Sequence, residues 1–359
     1  MRTISGVATS ITAFIGAAKT GSVNKAVRVL SFAEFEQRFG GLTAGLELGF
    51  AVRQYFLNGG TEAFVVRIAK RASAAQVLKG IRALDGVDLF NLLVLPGLTA
   101  PGILASAVDY CRTRRAFLIV DSPASARMPA QMEHAVQSGA VPRASHAAVY
   151  FPWMTISDPL NNGQPRATPP SGTIAGLMAR IDSTRGVWKA PAGNAANLTG
   201  VLGLEYKLTD AENALLNARG INCLRVFPAA GPVAWGARTL EGDDASASDY
   251  KYVPVRRLAL FLEESLDRGT RWTVFEPNDE TLWAQIRLNA GAFMDSLFKQ
   301  GAFQGISPRD AYFVKCDGAT TMATDIANGV VNILVGFAPL KPAEIVVIRI
   351  QQRAGQTPA

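Results

Sequence analysis

Arg271-Trp272-Thr273-Val274-Phe275-Glu276-Pro277-Asn278-Asp279-Glu280-Thr281-Leu282-Trp283 carries more information about architecture than any other run in this chain. Residues 271–275 are rich in β-branched and aromatic side chains and predict a short strand, which Pro277 stops. Asn278 or Asp279 can then accept the first free N–H groups of a helix. That helix continues through Leu282, Ile286, Ala290, Phe293, Met294 and Leu297, apolar at helical spacing, until Gly301 ends it. A strand, a corner and a capped helix build a scaffold, and nothing in the run predicts catalytic chemistry.

Upstream, strands and helices alternate. Val7, Thr9 and Ile11, separated by small residues, predict an opening strand, and residues 27–30 a second. Ser31 and Glu34 form a capping-box pair for a helix whose Phe32, Phe35 and Phe39 face inward, closed by Gly40-Gly41. A helix over 46–57 ends at Asn58-Gly59-Gly60, and Ala63–Ile68 reads as a buried strand. Helices follow over 74–84, 103–114, 171–181 and 212–218, interleaved with strands over 91–95, 116–120, 221–227, 233–239 and 330–337. Residues 252–266 form an amphipathic helix with Leu258, Phe261, Leu262 and Leu266 inward. Arg256 and Arg257 then fall on or beside its other face, solvated or ion-paired with Glu263, Glu264 or a neighbour. This rhythm predicts an α/β fold, a parallel or mixed sheet with helices on its faces.

With 359 residues and 48% hydrophobic side chains, the chain is long enough for two domains and apolar enough to bury surface between subunits. The net charge of +7 comes from 36 scattered basic residues with no long run. That distribution suits a solvated surface or an acidic protein partner better than nucleic acid, which calls for a clustered basic face. Cys111, Cys223 and Cys316 are too few and too far apart for a disulfide framework or a zinc site, and fit a reducing compartment. Residues 1–18 superficially resemble a signal peptide, but Thr3, Ser5, Thr9, Ser10 and Thr12 interrupt the apolar run. No stretch is apolar for long enough to span a bilayer.

Asp121 at a strand end, His134 or His146, and Ser171 at a helix start follow the chain order of subtilisin-type hydrolases, so a serine hydrolase is the alternative class. Ser171 after two prolines reads more simply as an N-cap. Residues 40–45 (GGLTAG) lack the Lys-Ser/Thr of a phosphate loop, and the acidic residues 241–244 lack the alternating ligands of a calcium loop. Residues 161–165 (NNGQP) predict an exposed turn. The residues predict no catalytic, cofactor or metal site.

Several longer runs carry a family resemblance: WGARTL (235–240), VRRL (255–258), FEPND (275–279), VKCD (314–317) and APLKPAEIVVIRIQQ (338–352). YFPW (150–153), PPSGTIAG (169–176) and RGVWKAPA (185–192) extend it upstream. Together they resemble the contractile tail sheath proteins of phage tails, R-type bacteriocins and extracellular contractile injection systems, over roughly the last two thirds of the chain.

The resemblance implies a subtilisin-like mixed sheet with flanking helices and no protease activity, plus a C-terminal α+β domain completed by strands from neighbouring subunits. The expected division is an N-terminal strand and linker over 1–20, an α/β domain over 21–250 and a C-terminal domain over 251–359. The implied function is structural: stacked hexameric rings polymerise around an inner tube and contract to drive it through a target membrane. Implied partners are further copies of the chain, the inner tube protein, and baseplate and terminal cap proteins. No cofactor, nucleic acid or stable membrane association is implied. Such particles assemble in the bacterial cytoplasm and act in a phage tail or a released extracellular particle.

The alternating run Glu344, Ile345, Val346, Val347, Ile348, Arg349 and Ile350 is the implied inter-subunit strand, and by its residues alone it can equally pair within its own sheet. Pro339, Lys341 and Pro342 are candidate hinges, as are residues 1–5. Lys299 and Gln300, at the end of the helix opened by Asp279, are candidate tube-facing residues. Sheath proteins usually carry a further N-terminal arm ahead of the region matching residues 6–16. The sequence begins almost at that point, which puts that arm's part in the linkage in question.

Overall fold

A computed structural model describes residues 3–344 of the chain. Its strands, in chain order, are β1 Thr12–Ala17, β2 Ala26–Val29, β3 Ala63–Ile68, β4 Leu92–Val94, β5 Phe117–Asp121, β6 Ala147–Phe151, β7 Met154–Asp158, β8 Gln164–Thr168, β9 Val201–Leu204, β10 Ile221–Phe227, β11 Gly231–Ala234, β12 Tyr312–Lys315 and β13 Leu334–Phe337. The helices are α1 Phe32–Phe39, α2 Glu47–Leu57, α3 Ala74–Arg82, α4 Pro101–Thr113, α5 Pro129–Gln137, α6 Ser171–Arg185, α7 Asp210–Ala218, α8 Val253–Thr270, α9 Glu280–Lys299, α10 Pro308–Ala311 and α11 Ala323–Ala327.

Eight strands form one mixed sheet in the order β11-β10-β6-β5-β4-β1-β3-β2. The six inner strands are parallel, and β2 and β11 close the two ends antiparallel. Parallel strands are covered on both faces, which is why β5 and β6 are buried at every residue and read as continuous apolar runs. Along β1, Ala13 and Ile15 enter one core while Phe14 enters the other. The first core takes Val77 and Ile81 of α3, Leu104 of α4, Met132 of α5 and Leu216 of α7. The second takes Phe35 and Phe39 of α1, Phe50 and Val52 of α2, and Ile174 and Leu177 of α6. The result is the expected mixed sheet with helices on both faces.

Helix α8 belongs to two cores. Val253 and Leu260 pack into the sheet core, while Leu258 and Leu262 pack against Ala290, Phe293, Met294 and Leu297 of α9. Burying each of these larger apolar side chains stabilises the contact by about 1.5–3 kcal/mol. The α9 stripe is the one read from sequence, and Asp279 caps its helix by accepting from the Leu282 N–H at 3.0 Å. Ile4 joins the same core, and the Val7 N–H donates to Ser265 Oγ at 3.1 Å, so the N-terminal segment runs along α8.

Three local expectations are corrected. Residues 271–273 form a 3-10 turn that tightens the end of α8. The helix runs four residues past Leu266, and helical continuity overrides the β-branched composition of 271–275. The opening strand lies at Thr12–Ala17, later than Val7 to Ile11, because the earlier residues pair with α8. Ser171 is the first residue of α6 and leaves the N-cap to Pro170; its hydroxyl is used elsewhere.

The turn at 161–165 belongs to a β7–β8 hairpin, with Asn162 and Gly163 both at positive φ. Asn-Gly between two short runs is the sequence signal for such a hairpin. Strands β7, β8 and β9 form a separate three-stranded sheet, and β12 with β13 a two-stranded one.

Candidate functional site

Arg238 holds Glu344, the last of the described residues. The run 235–240 leaves β11 and crosses back over β10, where the Asn222 side chain clasps it. Asn222 Nδ2 donates to the Arg238 carbonyl at 2.7 Å and Oδ1 accepts from the Arg238 N–H at 2.7 Å. Gly236 makes this approach possible, since a Cβ there would sit 2.8 Å from Asn222 Oδ1. The clasp aims the Arg238 side chain, only 5% exposed, at Glu344. Its Nε and Nη2 donate to Glu344 Oε1 at 2.8 Å and Oε2 at 2.6 Å, the two-pronged geometry that suits guanidinium and carboxylate. Nη1 donates to Asp244 Oδ1 at 2.8 Å and to the Gly242 carbonyl at 3.0 Å.

Asn217 Nδ2 and the Tyr252 hydroxyl add longer bonds of 3.3 Å to Glu344. Burial alone would raise the Glu344 carboxyl, but the bonds and charge of Arg238 outweigh it and hold the group below the usual glutamate value. Arg238 gave no signal of its own in the sequence beyond its place in WGARTL.

Of the candidate inter-subunit strand, Glu344 is described here; Ile345, Val346, Val347, Ile348, Arg349 and Ile350 lie outside the described residues. The candidate hinges behave unequally. Pro339 bridges to Phe303, the Ala338 N–H donates to the Ala311 carbonyl at 2.8 Å, and the Gln304 N–H donates to the Ala338 carbonyl at 2.9 Å. Lys341 and Pro342 lie beyond that stitch, where, among the described residues, no hydrogen bond ties residues 340–343. Residues 3–5 make no comparable link, because Ile4 is buried.

Lys299 sits exposed at the end of α9 and pairs with Asp295 at 2.7 Å, one helical turn back. Gln300 caps the helix and donates through Nε2 to the Ser296 carbonyl at 3.1 Å. Next to them, β12 and β13 form a two-stranded ladder among the described residues, with Phe313 and Leu334 exposed. A two-stranded ladder is marginal alone and offers unpaired edges to a further strand.

The hydrolase arrangement is not assembled. Asp121 Oδ2 accepts from the Ser171 hydroxyl at 2.8 Å, and Oδ1 from the Ser171 N–H at 2.8 Å, so acid and serine meet directly with no base between them. Burial pushes the Asp121 carboxyl up to about 6 against these bonds and that of the Gly97 N–H. His146 is engaged elsewhere. Its Nε2 lies 2.7 Å from Arg256 Nη2, and a guanidinium can only donate, so that nitrogen accepts and the ring is neutral. His134 lies on α5, lining a cleft with Pro101 and Pro123. Among the described residues, no cluster of acidic, histidine or cysteine side chains could hold a metal.

Arg256 and Arg257 are buried, so of the two alternatives left open by the sequence the ion-paired one is found and the solvated one is not. Arg256 does pair with Glu263, at 3.4 Å, while Arg257 takes Asp182 of α6.

The phage tail sheath protein central domain family matches residues 70–240, and the phage tail sheath C-terminal domain family matches 245–353. The chain belongs to the contractile tail sheath proteins. Its fold is similar to the sheath of an extracellular contractile injection system, the PVC sheath complex in the contracted state, with a TM-score of 0.84 and 29% identity over 98% of this chain and 94% of that one. It is similar also to the contracted helical sheath of the anti-feeding prophage, with a TM-score of 0.82 and 28% identity over 98% and 95% of the two chains. The tail sheath protein of Vibrio phage KVP40 is 31% identical over 51% of this chain, but the match spans only 26% of that longer protein. These relatives are structural proteins and not enzymes. All the runs, from 150–153 to 338–352, fall inside the two matched regions.

Proposed function

We propose that the chain is the building unit of a contractile sheath: it polymerises as stacked hexameric rings around an inner tube and contracts to drive that tube through a target membrane. The observation that carries this is the match of almost the whole chain to sheath subunits in their contracted assemblies. The α/β part, 21–250, acts as a rigid body of subtilisin-like topology without protease chemistry, following the linker over 1–20. The part over 251–359 is the meshwork domain, where β12 and β13 offer edges to a neighbour's terminal strand, Glu344 to Ile350. Backbone hydrogen bonding across such a strand gives linkage that survives sliding of the bodies.

Contraction without nucleotide requires an extended lattice that is metastable relative to a shorter one with more buried interface. Lys341 and Pro342, with Pro339 at the fixed end, form the pivot. Lys299 and Gln300 face the tube, where Lys299, already balanced by Asp295, adds a modest and salt-sensitive attraction. Baseplate and terminal cap proteins close the polymer, assembly takes place in the bacterial cytoplasm, and the finished sheath serves a phage tail or a released particle.

Negative-stain electron microscopy of the purified chain, alone and with a candidate inner-tube protein at low and high salt, tests this. Long hollow tubes are expected, with tube association weakening as salt rises. Monodisperse monomers under every condition would overturn the reading, and salt-independent co-assembly of wild type and Lys299→Ala would remove Lys299 from the tube face.

A further inference from the structure

Three of the runs that carry the family resemblance, 185–192, 235–240 and 338–352, converge in space. Lys189, Ala190, Trp235, Gly236, Pro342 and Ala343 share the wall of a cavity of about 300 Å³, beside which Glu344 meets Arg238. The arm root is thus seated in a groove built by distant parts of the body. We propose that Arg238 and Glu344 form a latch that holds this root on the α/β body of its own subunit, so that the strand from Ile345 departs from a fixed port toward a neighbouring copy of the chain. The proposal rests on the reading that the strand is donated.

The electrostatics favour a closed latch. A guanidinium that is 5% exposed needs its charge balanced, because an unpaired buried cation is costly. Asp244 covers only Nη1, is 52% exposed and is shared with Lys251 at 2.6 Å. Glu344 alone satisfies Nε and Nη2 together. The link is pinned at both ends, by Ala338 on the small unit and by Glu344 on the body, and among the described residues no hydrogen bond ties residues 340–343 between them. Six Cα steps separate the two pins, a reach of about 20 Å. While the latch is closed, this leash limits how far the C-terminal unit can swing. It also keeps the departing strand near one spot, which raises its effective concentration at a neighbour's sheet edge.

The test uses the unassembled full chain and the variants Glu344→Ala and Glu344→Asp. The substituted side chain lies at the arm root outside the hydrophobic cores; leaving Arg238 partly unpaired lowers the melting temperature, so the comparison is made at a temperature where circular dichroism shows all three proteins fully folded. Elastase cleavage at Ala343, followed by mass spectrometry and normalised for each protein to the rate of its own unfolded chain because the substitution changes the residue after the cut, reads the exposure of the root. Glu344→Ala is expected to be cut about tenfold faster or more, the scale of losing a two-pronged charge-assisted pair, with Glu344→Asp intermediate. Equal cleavage rates in all three proteins would overturn the latch. A separate deletion of 345–359 distinguishes the premise: tubes forming without those residues refute strand donation, whatever the cleavage rates show.

Discussion

Arg257 grips Asp182 through two N–H donors at 3.0 and 2.6 Å, with the two side chains 3% and 4% exposed. The Thr9 hydroxyl donates to the same carboxylate at 2.6 Å, and the Thr9 carbonyl accepts from Arg257 at 2.9 Å. One buried pair therefore joins α8, α6 and the N-terminal segment.

Breaking that pair from one side leaves an uncompensated buried charge. Asp182→Leu and Arg257→Met should each destabilise the chain by about 3–5 kcal/mol, measured by urea unfolding. The double variant Asp182→Leu, Arg257→Met should lose clearly less than the sum of the single effects. Additive losses would show that the two groups are not coupled.

Gly269 lies near the end of α8, where Ala is ordinarily better by about 1 kcal/mol. Here a Cβ would come within 2.5 Å of Ile4 Cγ2. Gly269→Ala should lower the melting temperature and not raise it, and Ile4→Ala in the same chain should recover part of the loss. A stabilised single variant would mean that Ile4 does not pack there.

Burial, then the charge of Arg256, pushes the His146 ring down to about 4. The folded state thus disfavours protonation, while the unfolded chain binds a proton near 6.5. His146 contributes stability that is present above that value, erodes as pH falls from about 6.5 toward 4, and is constant below. Ring chemical shifts followed by NMR should show His146 staying neutral down to the vicinity of pH 4. A midpoint at or above 6 would contradict the Arg256 contact.

The capping pairs and apolar stripes were legible because they are local. Ser31 with Glu34, Asp279 with the α9 stripe, and Ile221–Phe227 all appear where the pattern put them. The 3-10 turn at 271–273 was not legible, because the continuation of α8 is set by what the helix packs against and not by residue type. The β7–β8 hairpin did have a signal in Asn162-Gly163, but its flanking runs are short and only partly apolar.

At the candidate site, the sequence pointed to the terminal run and the prolines. It could not show that Pro339 is stitched to Phe303 or that Glu344 is held by Arg238. Those partners lie 36 and 106 positions apart in the chain, and no periodicity reaches so far.

The amino-acid sequence by itself determined the α/β rhythm, the two-sided burial of the inner strands and the sheath kinship, since each rests on local pattern or on runs of matching residues. Which charges are solvated and which are buried was decided only by the tertiary structure. Arg238, Arg256 and Arg257 look like ordinary surface arginines until helices and loops from distant positions close over them. Burial is a property of the assembled neighbours, and it turns the same side chain from a solvated cation into one that must find a carboxylate.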